Sequence, residues 1–328
     1  MRTPAGLSIR PWRDGDDLRL LEVWPDPETP QSQQFRALLR PDDDAPWSRT
    51  LVAEDSGVPV AAGTVHESPL HPLRLWAWVE VAPDRRGEGI GTALLARLRA
   101  EAASAPSGTT ALRTRVAPGS AGERFARAAG LDPVRTSRVV RVGAGALPVR
   151  PLDAGPDGSP AQTVEDLATG SVELTRALWE FYRAEHGWDP PADLPVGRVN
   201  TLFLSDAAHA FGAVVLRNGA APGERGRISA FAVSYRPVEL DAAPGAAPQG
   251  PAEAAANVLL GWAPGDPAAG RALEQLLALL VHDRPVQLQV DGTTSPLAVV
   301  VENLLAAGAA AVVEESVVLA EPAAEPVR

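Results

Sequence analysis

The chain has no cysteine and no lysine in 328 residues, a single methionine, two tyrosines and an aromatic content of 5%. Without cysteine there can be no disulfide, no thiolate metal site and no cysteine nucleophile. No apolar run is long and uncharged enough to span a bilayer. The opening Met1-Arg2-Thr3-Pro4-Ala5-Gly6 also lacks the apolar segment of a secretory signal, so the expectation is a cytoplasmic protein without a membrane partner. The five histidines are scattered rather than set at metal-ligand spacing, so no metal is expected. No local signature supports Ser-His-Asp catalysis. Acidic residues number 41 against 30 basic ones, a net charge of −11, and every basic residue is arginine. A nucleic-acid binder needs a basic face to neutralise phosphates, so that class of partner is disfavoured. A cationic or neutral small substrate fits better.

What is present is 45% apolar, enough for a sizeable core, and long enough for two ordinary domains. The first half reads as alternating strands and helices. Strands are expected at 7–10, 50–54, 58–65 (after an Asp55-Ser56-Gly57 turn), 73–81, 112–116 and 139–142, the last closing the unit. Helices are expected at 14–24, 31–39, 91–102, where Leu94, Leu95 and Leu98 recur at helical spacing, and 121–129, stopped by Gly130. Residues 143–163 are rich in Gly, Ala, Pro and Asp, and a linker is placed at 146–163, between domains at 1–145 and 164–328. The second half then repeats the order of the first. It has a helix at 174–185, strands at 211–217 and 228–235 around a polar turn, a loose loop at 241–253, a strand at 258–262 and a helix at 270–281. A strand at 286–290, a helix at 296–307 ending at Gly308 and a strand at 312–319 complete it. Val81-Ala82-Pro83 precedes one helix and Trp262-Ala263-Pro264 its counterpart, which reads as a diverged internal duplication.

The sharpest motif is Val81-Ala82-Pro83-Asp84-Arg85-Arg86-Gly87-Glu88-Gly89-Ile90-Gly91-Thr92. A strand enters a glycine-rich turn that opens directly into a helix. Backbone N–H groups can then converge on one point, where the helix terminus adds roughly half a positive charge. Glycines let a phosphate approach those donors, and Arg86 adds a fixed, fork-shaped charge. A Walker loop is excluded because it needs lysine. A dinucleotide fold would set its glycines after the first strand, whereas these follow the fourth.

Val81-x-Pro83 followed by Arg86-x-x-Gly89-x-Gly91 resembles the acyl-CoA motif of the GNAT superfamily of N-acyltransferases. The preceding strand order and Phe125-Ala126-Arg127-Ala128-Ala129-Gly130-Leu131 are similar to that family too. The resemblance covers residues 7–142, and extends to 164–320 by topology alone, as in tandem-domain members. It implies an α/β (α+β) fold of two tandem units, each a mixed sheet flanked by helices. It implies acetyl-CoA as cosubstrate, with its pyrophosphate on Arg86, Gly87, Glu88, Gly89, Ile90, Gly91 and Thr92 and its pantetheine arm along Val79 and Val81. It further implies direct acetyl transfer to the amine of a small molecule or peptide, with a backbone N–H near Val81 polarising the thioester. In the second half Gly265-Asp266-Pro267-Ala268-Ala269-Gly270 lacks the arginine and the Gly-x-Gly pair, so that unit is expected not to bind CoA in this manner.

The tyrosine that many family members place four residues before the later helix glycine falls here at Ala126, and an asparagine common at that helix start falls near Gly119 or Ser120. A non-catalytic acyl-CoA-binding protein is therefore the alternative reading. Glu80, on one strand face with Trp76 and Trp78, is the first candidate base, or else a salt-bridged strand-end glutamate. His66, with Glu67, is the second, or else a loop histidine without a catalytic role. Asp42-Asp43-Asp44 is either an acidic rim for a cationic acceptor or a solvated loop. The acceptor and the oligomeric state, a homodimer among the options, stay open.

Overall fold

The computed structural model describes residues 6–25, 30–153, 161–219, 225–236 and 255–323. The loop expected at 241–253 and residues 154–160 of the expected linker lie outside the described residues. Two compact units form. The first comprises Met1–Val134, Trp188–Ala192 and Val317–Arg328, and the second Arg135–Gly187 and Asp193–Ser316.

The first unit runs β1 (Leu7–Pro11), α1 (Asp16–Leu21), α2 (Pro30–Arg36), β2 (Asp43–Asp44), β3 (Trp47–Asp55), β4 (Val58–His66), β5 (Leu75–Val81), α3 (Ile90–Ala102), β6 (Leu112–Val116) and α4 (Ala121–Ala128). Its sheet is ordered β1-β3-β4-β5-β6, antiparallel as far as β5 and parallel from β5 to β6. The period-3.6 leucines bury one face of α3 on this sheet, where Leu94 and Leu98 are fully enclosed. Each such leucine stabilises the fold by about 1.5–3 kcal/mol. The helix can approach because β4 carries Gly63, where a Cβ would stand 2.8 Å from Leu98 Cδ1 and 2.8 Å from the Trp78 carbonyl oxygen. That contact fixes the height of α3, and so of its N-terminus, over the sheet.

The second unit takes in most of β7 (Asp132–Val142), followed by β8 (Gln162–Leu167), α5 (Val172–Glu185), α6 (Val196–Phe203), β9 (Ala210–Asn218), β10 (Arg227–Tyr235), β11 (Ala256–Trp262), α7 (Ala269–Leu280), β12 (Val286–Asp291), α8 (Pro296–Ala306) and β13 (Ala310–Ala320), whose last four residues fall in the first unit. Its sheet order is β8-β9-β10-β11-β12, again with a parallel last pair. The duplication reaches hydrogen-bond level. Ala82 N–H donates to Val60 O at 2.9 Å, and Ala263 N–H to Ser229 O at 3.0 Å. Ser120 and Ser295 each cap the later helix with a side-chain oxygen. Gly130 and Gly308 follow those helices with positive φ, 90° and 69°.

The final strands depart from the sequence reading. The segment 139–142 does not close the first unit. It lies in β7, which pairs with β12 from Ser137↔Asp291 to Val142↔Val286, and buries Val140 and Val142 in the second unit's core. The edge of β6 is taken instead by Val317–Ala320 of β13, from Val317↔Val116 to Ala320↔Arg113. Both segments are largely apolar strands, so either satisfies either edge locally. The pairing is decided by contacts far apart in sequence.

Residues 188–192 also belong to the first unit, and they bring a buried charge. Asp189 has 0% exposure, and its carboxylate accepts from Arg74 Nη1 at 2.9 Å and from Arg113 Nη1. His71 Nδ1 meets its carbonyl oxygen at 2.7 Å. Arg113 lies 4.1 Å over the Trp76 ring, which covers its other face.

Candidate active site

Strands β5 and β6 pair only at Leu75↔Leu112 and Trp76↔Arg113, then diverge. The orientation of the freed β5 backbone follows from alternation. Leu75 N–H donates towards β6, to Ala111 O at 2.8 Å, and Ala82 N–H donates towards β4. Odd-numbered residues of β5 therefore turn their N–H and C=O away from β4, so Val79 and Val81 present theirs to the gap. Arg86 Nε donates to Val81 O at 3.1 Å, in keeping with that direction.

A cleft of about 650 Å³ occupies the gap. Trp78, Val79, Glu80 and Val81 form one wall, and Val116, Ala117, Ser120, Gly122 and Phe125 the opposite one. The turn into α3 supplies Arg86, Gly87, Gly89, Ile90, Gly91 and Thr92. Gly87 and Gly89 have φ of 86° and 83°, which side-chain-bearing residues rarely adopt. A Cβ at either would meet nothing within 4 Å, so backbone conformation rather than crowding requires glycine there. Gly89 is the N-cap of α3 and offers no side-chain cap, so the first-turn N–H groups have no intrahelical partner. Of the residues expected at the phosphates, Glu88 alone is outside the lining. Its carboxylate accepts from Arg85 Nε at 3.0 Å, while Arg85 Nη2 donates to Asp55 at 2.8 Å. These two carboxylates push the Arg85 pKa up.

The candidate bases separate. Glu80 lines the cleft, and Arg36 holds it bidentately, Nε to Oε2 at 2.9 Å and Nη2 to Oε1 at 2.5 Å. Arg36 also donates to Pro25 O and lies 5.0 Å from the Trp24 ring centroid. Trp78 is stacked on Phe35 at 4.4 Å, and Trp76 meets Phe35 edge-on at 6.1 Å. His66 lies away from the cleft, paired with Trp76 two positions before the lining begins. Burial, with Arg113 and Arg40 nearby, lowers its pKa from 6.5 to about 4. The acidic triplet is engaged locally. Asp42 accepts from Thr50 N–H, Asp43 from Ala45 N–H and Asp44 from Arg49. Among the lining residues that sequence reasoning had not singled out are Ser32 and Arg36, whereas Phe125 had entered only within the Phe125–Leu131 resemblance.

His66 gives a stability test. Between its folded pKa of about 4 and its ordinary 6.5, the unfolded chain binds a proton that the folded chain rejects. Stability therefore falls as pH drops through this window, by roughly 3 kcal/mol by pH 4. Denaturant titrations at pH 7 and pH 4.5 should show a smaller acid loss in His66→Gln than in the wild type. The remaining slope belongs in part to His71, which burial and Arg113 shift in the same direction. An unchanged loss would contradict this placement of His66.

The second unit's corresponding turn is closed by its own residues. Asp266 Oδ1 accepts from Ala268 N–H at 2.8 Å, its carbonyl oxygen accepts from Ala269 N–H at 3.1 Å, and Pro267 has no N–H. An incoming phosphate would meet a carboxylate there. Among the described residues no group of three or more His, Asp or Glu could hold a metal ion. No helix among them is long and apolar enough to cross a membrane.

Residues 10–130 match the model of the acetyltransferase (GNAT) family. Over those residues the chain resembles the GNAT acetyltransferases. The family's general chemistry is acyl transfer from an acyl-CoA. Over nearly the whole chain the fold is similar to that of a GCN5-related N-acetyltransferase from Sphaerobacter thermophilus, with TM-score 0.61, 16% identity and 99% of each chain covered. It is also similar to a tandem GNAT protein from the clavulanic acid biosynthesis pathway, with TM-score 0.52 and 16% identity over 97% of this chain and 99% of that one. These likenesses establish a tandem GNAT fold, a mixed sheet flanked by helices in each unit. No curated protein matches the sequence.

Proposed function

We propose that the first unit is an N-acyltransferase that binds acetyl-CoA or a related acyl-CoA in the β5–β6 cleft and passes the acyl group to the amine of a small molecule or peptide. The observation that carries this reading is the splay beyond Trp76. It leaves the Val79 and Val81 N–H and C=O groups facing a cleft whose floor is the Gly87–Gly89 turn. The residues fit the cosubstrate. The uncapped first turn of α3 and Arg86 suit a pyrophosphate, and the open edge of β5 suits the amide-bearing pantetheine arm as an added strand.

The reaction is direct attack. The neutral amine nitrogen forms a bond to the thioester carbonyl carbon, the C–S bond breaks, the sulfur leaves as thiolate, and the proton shed by the nitrogen ends on that sulfur, giving the amide and the free CoA thiol. A backbone N–H of β5 in the cleft stabilises the oxyanion. The start of α4 stabilises the thiolate, since helix N-termini lower thiol pKa values. Ser120 Oγ accepts from Glu123 N–H at 3.1 Å, which leaves its hydroxyl proton to donate to the sulfur. Glu80, held by Arg36 and lining the cleft, receives the acceptor's ammonium, which loses one proton to water before attack, and His66 takes no direct part. Ala126, where many family members carry tyrosine, favours a second reading in which acyl-CoA is bound without turnover.

The two readings separate in a thiol-release assay with acetyl-CoA and a panel of primary amines. Amine-dependent release of free CoA supports transfer. Binding without release across the panel supports the second reading.

A further inference from the structure

Below the cleft, the diverging strands enclose a second hollow, of about 70 Å³. Val79 of β5, Val116 of β6 and Phe125 of α4 line both cavities, so the hollow adjoins the cleft beside the open edge of β5. Its deeper walls are Leu95 of α3, Ala126 of α4 and Leu131. Of the residues that line it, only Thr114 and Trp78 carry a polar side-chain atom. A water molecule needs about 10–15 Å³ and two or more polar partners, so a hollow of this size and lining favours hydrocarbon over water.

Resting on the acyl-CoA reading above, we propose that this hollow is an acyl-chain pocket and that the protein prefers a short acyl chain longer than acetyl, near four carbons. Acetyl ends at the mouth, whereas a butanoyl chain places two more methylenes between Val79, Val116 and Phe125. Ala126 sets the depth. Its small side chain is 4% exposed and leaves open the space that a larger residue would fill. Each buried methylene is expected to tighten binding about fourfold, so butanoyl-CoA should bind about fifteenfold tighter than acetyl-CoA. Hexanoyl-CoA should gain nothing further, because Leu95, Ala126 and Leu131 close the far side of the hollow.

The test is calorimetric titration of CoA, acetyl-CoA, butanoyl-CoA and hexanoyl-CoA into the full chain, Ala126→Leu and Leu131→Ala. The expected result is a butanoyl preference of fivefold or more over acetyl in the wild type, reduced to within twofold in Ala126→Leu. Leu131→Ala, which deepens the hollow, should move the optimum to hexanoyl. That shift decides the matter should the leucine variant fail to fold. Acetyl and butanoyl binding within twofold of each other in the wild type would overturn the chain-length inference and leave the acyl-CoA reading standing. Failure of every thioester and of CoA itself to bind would overturn both.

Discussion

Asp189→Ala is expected to destabilise the protein by about 3–5 kcal/mol, measured by urea unfolding at pH 7. The carboxylate is fully enclosed and is shared by two guanidinium groups that are themselves buried, Arg74 at 7% and Arg113 at 1% exposure. Removing it leaves two positive charges in a site where neither is well hydrated. Arg74 retains its bonds to Glu321 O at 2.8 Å and Trp188 O at 3.0 Å, and Arg113 retains its stacking on Trp76, but neither contact neutralises charge. Asp189→Asn keeps an acceptor of the same shape and should lie between the wild type and the alanine variant. A loss below 1 kcal/mol in Asp189→Ala would show that the cluster is hydrated and contributes little. The consequence reaches the site, because Arg113 is one of the two β6 residues still paired with β5 before the strands part.

Arg86→Ala should leave stability nearly unchanged and weaken acetyl-CoA binding by ten- to a hundredfold. The side chain is exposed, and its Nε–Val81 O bond at 3.1 Å is solvent-accessible, so the fold loses little. A hydrogen bond to a charged phosphate is worth about 1.5–3 kcal/mol, which gives that range of affinity. Arginine also offers a planar fork that lysine lacks, so Arg86→Lys should recover only part of the loss. Undiminished affinity in Arg86→Ala would place the pyrophosphate elsewhere.

The features legible in the sequence are those with a local cause. The α3 leucines, the Asp55-Ser56-Gly57 hairpin turn and the glycine run at 87–91 are each decided by periodicity or by backbone freedom within a few residues. The Val81-Ala82-Pro83 and Trp262-Ala263-Pro264 repeats exposed the duplication, which the matching Ala82 and Ala263 hydrogen bonds make physical. What stayed hidden depends on distant partners. Nothing near residues 139–142 says that they pair with β12 while Val317–Ala320 pairs with β6, because both are apolar strands of suitable length. Asp189, inside Trp188-Asp189-Pro190-Pro191, reads as loop, and only the fold places it between Arg74 and Arg113. The cleft was legible at its Gly87–Gly91 end and less so around Glu80. Alternation put Glu80 beside Trp78, but no sequence rule supplies Arg36 as its partner from 44 residues away.

The central claim is one acyl-CoA site, in the first unit. Calorimetric titration of acetyl-CoA into the wild-type chain tests it most directly. Binding at one equivalent is expected, since the α3 terminus is open and the α7 terminus is closed by Asp266 and Pro267. No binding would contradict the acyltransferase reading, and two equivalents would contradict the closure of the second turn.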